Sequence, residues 1–145
     1  MARYLVVAHQ TVTSPELLKV VRGVLDQDAK AEFVLLVPAT PVRHLLFRTG
    51  DENDAEANAR KRGERASAVF TKRGVPLSEV RIGAADPAEA IDIEVAAHPG
   101  YAGFVISTLP AEKSRWLRLD LPRTVQENHR LPVHHVVAED LGPWL

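Results

Sequence analysis

Short apolar runs alternate with longer stretches of helical period along the whole chain, and this alternation constrains the fold more than any other feature. Tyr4 to Ala8 (YLVVA) and Phe33 to Val37 (FVLLV) are near-continuous aliphatic runs, as expected of strands covered on both faces and therefore central in a parallel sheet. Gly103 to Ser107 (GFVIS) is of the same kind. Glu79 to Ile82 is shorter and more polar and suits an edge, and Val133 to Val137 closes the series.

Four helices lie between these strands, three of them with a start signal. Ser14-Pro15-Glu16 sets a capping hydroxyl before a proline at the first helical position, after which Leu17, Leu18, Val21, Val24 and Leu25 share one face. Asp86-Pro87 repeats the device with Ile91 and Val95 on the inner side, and Asp120-Leu121-Pro122 repeats it again before Val125. The remaining helix, about Asp54 to Arg73, is rich in alanine and charge, with Ala55, Ala59, Ala66, Val69 and Phe70 as its inward stripe and Gly63 as a local weak point.

A β-α-β-α-β-α-β-α-β order with right-handed crossovers leads to a doubly wound arrangement. The chain reads as one α/β Rossmann-like three-layer domain over residues 1–145, on a five-stranded parallel sheet of order 3-2-1-4-5. Sheet and helices occupy about 3–137, and an apolar tail follows over 138–145.

Composition narrows the function classes. An apolar content of 46% in 145 residues is ample for one core. Eighteen Lys and Arg against nineteen Asp and Glu, a net charge of -1, lack the basic footprint of a nucleic-acid binder. The run Arg60-Lys61-Arg62 with Arg65, Lys72 and Arg73 is interleaved with Asp51, Glu52, Asp54, Glu56 and Glu64 and reads as a solvated helix face. Without cysteine there is no disulfide, thiol nucleophile or Cys-based zinc site. No apolar run approaches the ~18 residues that span a bilayer, and Tyr4 to Ala8 is too short for a signal-peptide core, so a cytoplasmic protein without membrane or nucleic-acid partners is expected.

In sheets of this order, ligands bind beyond the carboxyl ends of the strands where the strand order reverses, here between the first and fourth strands. The residues there that can meet a small anionic ligand are His9, Gln10, Thr11, Ser107, Thr108, Ser114 and Arg115, with Lys113 and Arg118 adding positive charge. The competing reading is a surface loop that caps the sheet with Trp116 packed as its anchor. Pro38-Ala39-Thr40-Pro41 is either a third wall or a stiff connector.

No catalytic residue is nominated: Gly-x-Ser-x-Gly, Gly-x4-Gly-Lys-Ser/Thr and Gly-x-Gly-x-x-Gly are all absent. No metal site is expected either, because adjacent His134 and His135 point to opposite faces of a strand and His98 and His129 suit helix ends.

The opening RYLVVAHQTVTSPELL, the closing DLPRTVQENHRLPVHHVV and the five-strand order resemble the universal stress protein family, within the adenine-nucleotide alpha-hydrolase-like branch of Rossmann-like folds. The resemblance implies a role in stress response and a glycine-rich cradle for ATP, Gly-x2-Gly-x9-Gly-Ser/Thr, between the fourth strand and the last helix. Ser107, Pro110 and Asp120 fall at its glycines and Leu121 at its hydroxyl residue. Pro110 has no N–H to give, and a carboxylate at Asp120 is expected to take the first-turn N–H groups a phosphate would need. ATP binding in the family's usual mode is therefore not expected, and no other cofactor is assigned. His9-Gln10-Thr11 stands where the family often has an acidic nucleotide contact.

The resemblance also implies a homodimer through the last strand, which the tail Leu141-Gly142-Pro143-Trp144-Leu145 seals or else leaves by folding back on its own domain. The leading expectation is a non-enzymatic regulatory or small-ligand-binding domain. The alternative is a Rossmann-like enzyme acting on a nucleotide or another anionic substrate.

Overall fold

The computed structural model describes residues 2–40 and 52–142. In chain order the elements are β1 (Arg3–Val7), α1 (Pro15–Gln27), β2 (Glu32–Pro38), α2 (Glu52–Lys72), β3 (Glu79–Gly83), α3 (Pro87–Ala97), β4 (Gly103–Thr108), α4 (Arg115–Arg118), α5 (Leu121–His129) and β5 (Val133–Val137). All five strands are parallel and lie in the order β3-β2-β1-β4-β5, as the pattern of runs predicts.

Alternation along the central strands separates two apolar layers. Val6, Ala8, Leu35, Val37, Val105 and Val136 face one side, where α1 supplies Leu17, Leu18 and Val21 and α2 supplies Ala59, Ala66, Val69 and Phe70. Leu5, Val7, Val34, Leu36, Phe104 and Ile106 face the other, under Ala90 and Ile91 of α3, Trp116 of α4 and Leu121 and Val125 of α5. The alanine stripe of α2 lets that helix sit close to the sheet. Gly63 has a packing reason as well, since a Cβ there would lie 2.7 Å from Val80 Cγ1.

The helix starts differ in how they are satisfied. Ser14 Oγ accepts the Glu16 and Leu17 N–H groups, as a cap should. Asp86 and Asp120 occupy the same position in α3 and α5 but make no side-chain cap bond. The one-turn helix α4 is not apparent in the sequence. It starts at Ser114, whose Oγ accepts the Leu117 N–H at 3.1 Å, and it seats Trp116 in the core.

The end of the sheet opposite the expected crevice is closed by a polar network. The buried Glu94 carboxylate accepts from Arg81 at 2.7 Å and from the Tyr101 hydroxyl at 2.8 Å, and Arg3 lies over the Tyr101 ring. Burial, followed by the Glu94 contact, holds the Tyr101 hydroxyl in its neutral form well above the ordinary tyrosine range.

Candidate functional site

The site is built where β1 and β4 end side by side at the point of strand reversal. After β1 the chain is held by an Ala8 N–H donating to Leu36 O and then turns, with Ser14 N–H donating to Thr11 O at 3.0 Å. This turn buries His9, Thr11, Thr13 and Ser14 together, an unusual density of polar side chains beside a sheet. Thr11 Oγ1 meets Ser107 Oγ at 2.7 Å, a buried bond between residues 96 apart that ties β1 to β4. Each hydroxyl satisfies the other, so burial leaves neither orphaned.

The seven sequence candidates do not form one cluster. Thr11 and Ser107 come together directly, and Gln10 lies half-buried on the same turn. Thr108 Oγ1 instead meets His135 Nε2 of β5 at 2.8 Å, and burial lowers the basicity of that imidazole. Ser114 serves as the α4 cap, and Arg115 is exposed beside it. Trp116 is packed into the layer beneath α4, as the capping-loop reading expects. Pro38 is buried, Thr40 donates to Ala85 O at 2.7 Å, and Pro41 lies outside the described residues. Among the described residues no group of three or more His, Asp or Glu is placed to hold a metal ion.

The structure corrects the expectation for Asp120. Its carboxylate takes no first-turn N–H. It is 61% exposed and approaches Arg123 at 4.0 Å. The backbone at Asp120 is left-handed, with φ of 53°, a region that favours glycine and that aspartate tolerates better than most residues. So the position where the resemblance places a glycine keeps a glycine-like conformation with an acidic residue in it. What Asp120 opposes to an anion at the start of α5 is therefore its charge, not occupation of the N–H donors by its carboxylate.

His9 and Arg62 were not joined by sequence reasoning. His9 is 6% exposed, and its Nε2 has no hydrogen-bond partner. Burial, and then the Arg62 guanidinium, push its pKa down from the usual histidine value to about 4, so the ring is neutral at pH 7. Arg62 comes from the basic run assigned to a solvated face, yet it is half-buried with its Nε unpartnered, and burial and Arg65 weaken its hold on the proton. The signal was present in the spacing: 62 falls between Ala59 and Ala66 at the three- and four-residue steps of the inward stripe.

The tail beyond β5 also reaches this edge. Ala138 N–H continues the ladder to Thr108 O, after which Glu139 and Asp140 N–H groups donate to the Glu16 carboxylate at 3.0 and 3.3 Å. Thr13 Oγ1 donates to Leu141 O at 2.7 Å. Gly142 has φ of 81°, and any Cβ there would collide with the Thr13 carbonyl oxygen. Residues 138–142 therefore fold back on α1 of their own chain, while Pro143, Trp144 and Leu145 lie outside the described residues.

No protein-family model matches the chain, and no curated protein matches it either. Solved structures do match. A universal stress protein from Archaeoglobus fulgidus superposes with a TM-score of 0.60 at 16% identity, covering 94% of this chain and 93% of that one. The universal stress protein from Archaeoglobus fulgidus in complex with dAMP gives 0.57 at 17% identity, over 94% and 97% of the two chains. A universal stress protein family protein from Arabidopsis thaliana with AMP bound gives 0.57 at 13% identity, over 96% and 93%. The chain thus has the universal stress protein fold, with five parallel strands in the order 3-2-1-4-5.

Proposed function

We propose that this universal-stress-protein-like domain is a non-enzymatic regulatory module that binds a small anionic, nucleotide-like ligand in the crevice between β1 and β4. The observation that carries the reading is the buried polar turn from His9 to Ser14, stapled to β4 through Thr11 and Ser107 at the strand reversal. Val12 of this turn joins the core, and the polar side chains around it suit a ligand that needs rigidly placed donors and acceptors. Bound dAMP and AMP in similarly folded proteins support a nucleotide as the ligand class.

ATP in the family's usual mode is disfavoured. Two unit charges at ~4 Å repel by about 1 to 4 kcal/mol for effective dielectrics between water and protein surface. Asp120 is exposed and near Arg123, which puts its effect at the low end of that range. A triphosphate meets this charge at the start of α5, and Pro110 offers it no N–H. A smaller anion is less affected.

Native mass spectrometry of the protein purified from its own source tests this reading. A co-purifying small anion released on denaturation is the expected result. The reading fails if the protein is ligand-free and AMP, titrated to millimolar concentration, leaves the amide resonances of Thr11 and Ser107 unmoved.

The reading includes a homodimer through β5. That strand is at the sheet edge, and Val137 on it is 42% exposed, so a row of backbone groups and an apolar side chain are available to a second copy.

A further inference from the structure

The chain beyond β5 has a fixed base and a lightly held arm. Ala138 is fully buried, and its N–H continues the ladder to Thr108 O at 2.8 Å. From Glu139 onward the chain is held by hydrogen bonds. The Glu139 and Asp140 N–H groups donate to the Glu16 carboxylate at 3.0 and 3.3 Å, and Leu141 O accepts from Thr13 Oγ1 at 2.7 Å. The arm closes on itself where Gly142 N–H donates to Asp140 Oδ1 at 2.9 Å, with Gly142 in the left-handed region. Glu139 and Asp140 are exposed. A segment fastened by exposed hydrogen bonds opens locally while the rest of the domain stays folded.

The anchors of this arm belong to the turn after β1 and to the helix start that follows it. Thr13 is buried and engages the arm twice, through its hydroxyl and through a carbonyl that Gly142 approaches too closely to admit a Cβ. Glu16 Oε1 also accepts from Ser14 Oγ at 2.9 Å, so the carboxylate that receives the arm orients the hydroxyl that caps α1. The other side of the turn is fastened independently, by Thr11 to Ser107 of β4 at 2.7 Å. The polar turn is thus tied to the sheet at one side and to the arm at the other, and the second tie can be undone without opening the sheet.

We propose that residues 139–142 are a strap that sets the crevice turn in a clamped or a loosened state, so that strap docking and the hold on a ligand rise and fall together. The proposal rests on the reading that the crevice takes a small anionic ligand, and it assigns the regulation of that site. Because the coupling is one of equilibria it runs both ways: a ligand that favours the clamped turn also favours the docked strap.

The test is amide hydrogen exchange, read residue by residue, in the natural chain, in Gly142→Ala and in a chain ending at Ala138. Neither change alters a residue of the turn. Both are expected to speed exchange at Ser14, whose N–H donates to Thr11 O, by about fivefold, the change that loss of one hydrogen bond produces. Ala8, whose N–H donates to Leu36 O, reports the sheet and should keep its rate. Gly142→Ala leaves the charge of the tail unaltered and is therefore the variant for the ligand arm: AMP should bind it several-fold more weakly than the natural chain, and should slow exchange at Glu139 and Asp140 in the natural chain. The proposal is overturned if Ser14 is sped no more than Ala8, or if AMP binds the two proteins equally. The crevice reading fails separately, if AMP leaves Thr11 and Ser107 of the natural chain unmoved, and the exchange rates at Ser14, measured without ligand, then decide the strap by themselves.

Discussion

His9 makes the stability of the domain depend on pH in a defined window. Its folded value near 4 lies below the ordinary value near 6.5, so the unfolded chain binds the proton more readily than the folded one. Stability is then fully present above about pH 6.5 and is lost as pH falls toward 4, by about 3 kcal/mol at the most. Urea unfolding in chloride buffer at pH 7 and at pH 4.5 should show this loss, and His9→Gln should remove most of the difference. An unchanged slope in that variant would place the acid sensitivity elsewhere. At this scale the sequence was only partly legible. That His9 lies where the first strand ends, beside the point of strand reversal, was legible from its place after the apolar run, but the part-burial of Arg62 was hidden in a run of charges whose alternating signs describe the exposed face of α2 and not its inward step. Asp120 misled in another way: Asp before a helical proline normally caps, yet here a left-handed backbone directs the carboxylate toward Arg123.

The elements were legible where periodicity ran long enough. Continuous aliphatic runs located β1, β2 and β4 to within a residue or so, because both faces of those strands are buried. The four residues of α4 were missed because one turn of helix carries no period, although Ser114 three positions before Leu117 is its cap signal. Nothing in the tail announced where it would dock, since its partners Thr13 and Glu16 are more than 120 residues away in sequence. Burial opposes ionisation of Glu16, but the N–H groups of Glu139 and Asp140 and the Ser14 hydroxyl outweigh it and hold the carboxylate below its usual range. Glu16→Gln is therefore expected to loosen residues 139–142, speeding amide exchange at Glu139 and Asp140 and costing about 1 kcal/mol. Gly142→Ala should release the same segment by collision with Thr13 while leaving Glu16 intact. Unaltered exchange in both variants would show that these contacts do not hold the tail.

For the whole molecule, the order of strands and helices fixed the sheet because right-handed crossovers leave few alternatives, and the same order located the strand reversal between β1 and β4. Less accessible was which polar groups satisfy one another across the sheet, as Thr11 and Ser107 do, and which buried atoms stay unbonded, as His9 Nε2 and Arg62 Nε do, because strand order sets neither. The β5 edge carries a prediction at this scale: Val137→Lys should convert a sedimenting dimer to monomer while leaving the circular dichroism spectrum intact, and an unaltered dimer would move the interface off this strand. The central claim is that the fold keeps its ligand crevice while charge at Asp120 discourages a triphosphate. Calorimetric titration of ATP with Mg²⁺ into the natural chain and into Asp120→Gly tests it most directly. Glycine accepts the left-handed backbone, so the variant should be more stable by about 1 kcal/mol, and removal of the carboxylate should tighten ATP by about tenfold. Micromolar ATP affinity in the natural chain, or equal affinity in the two proteins, would contradict the account.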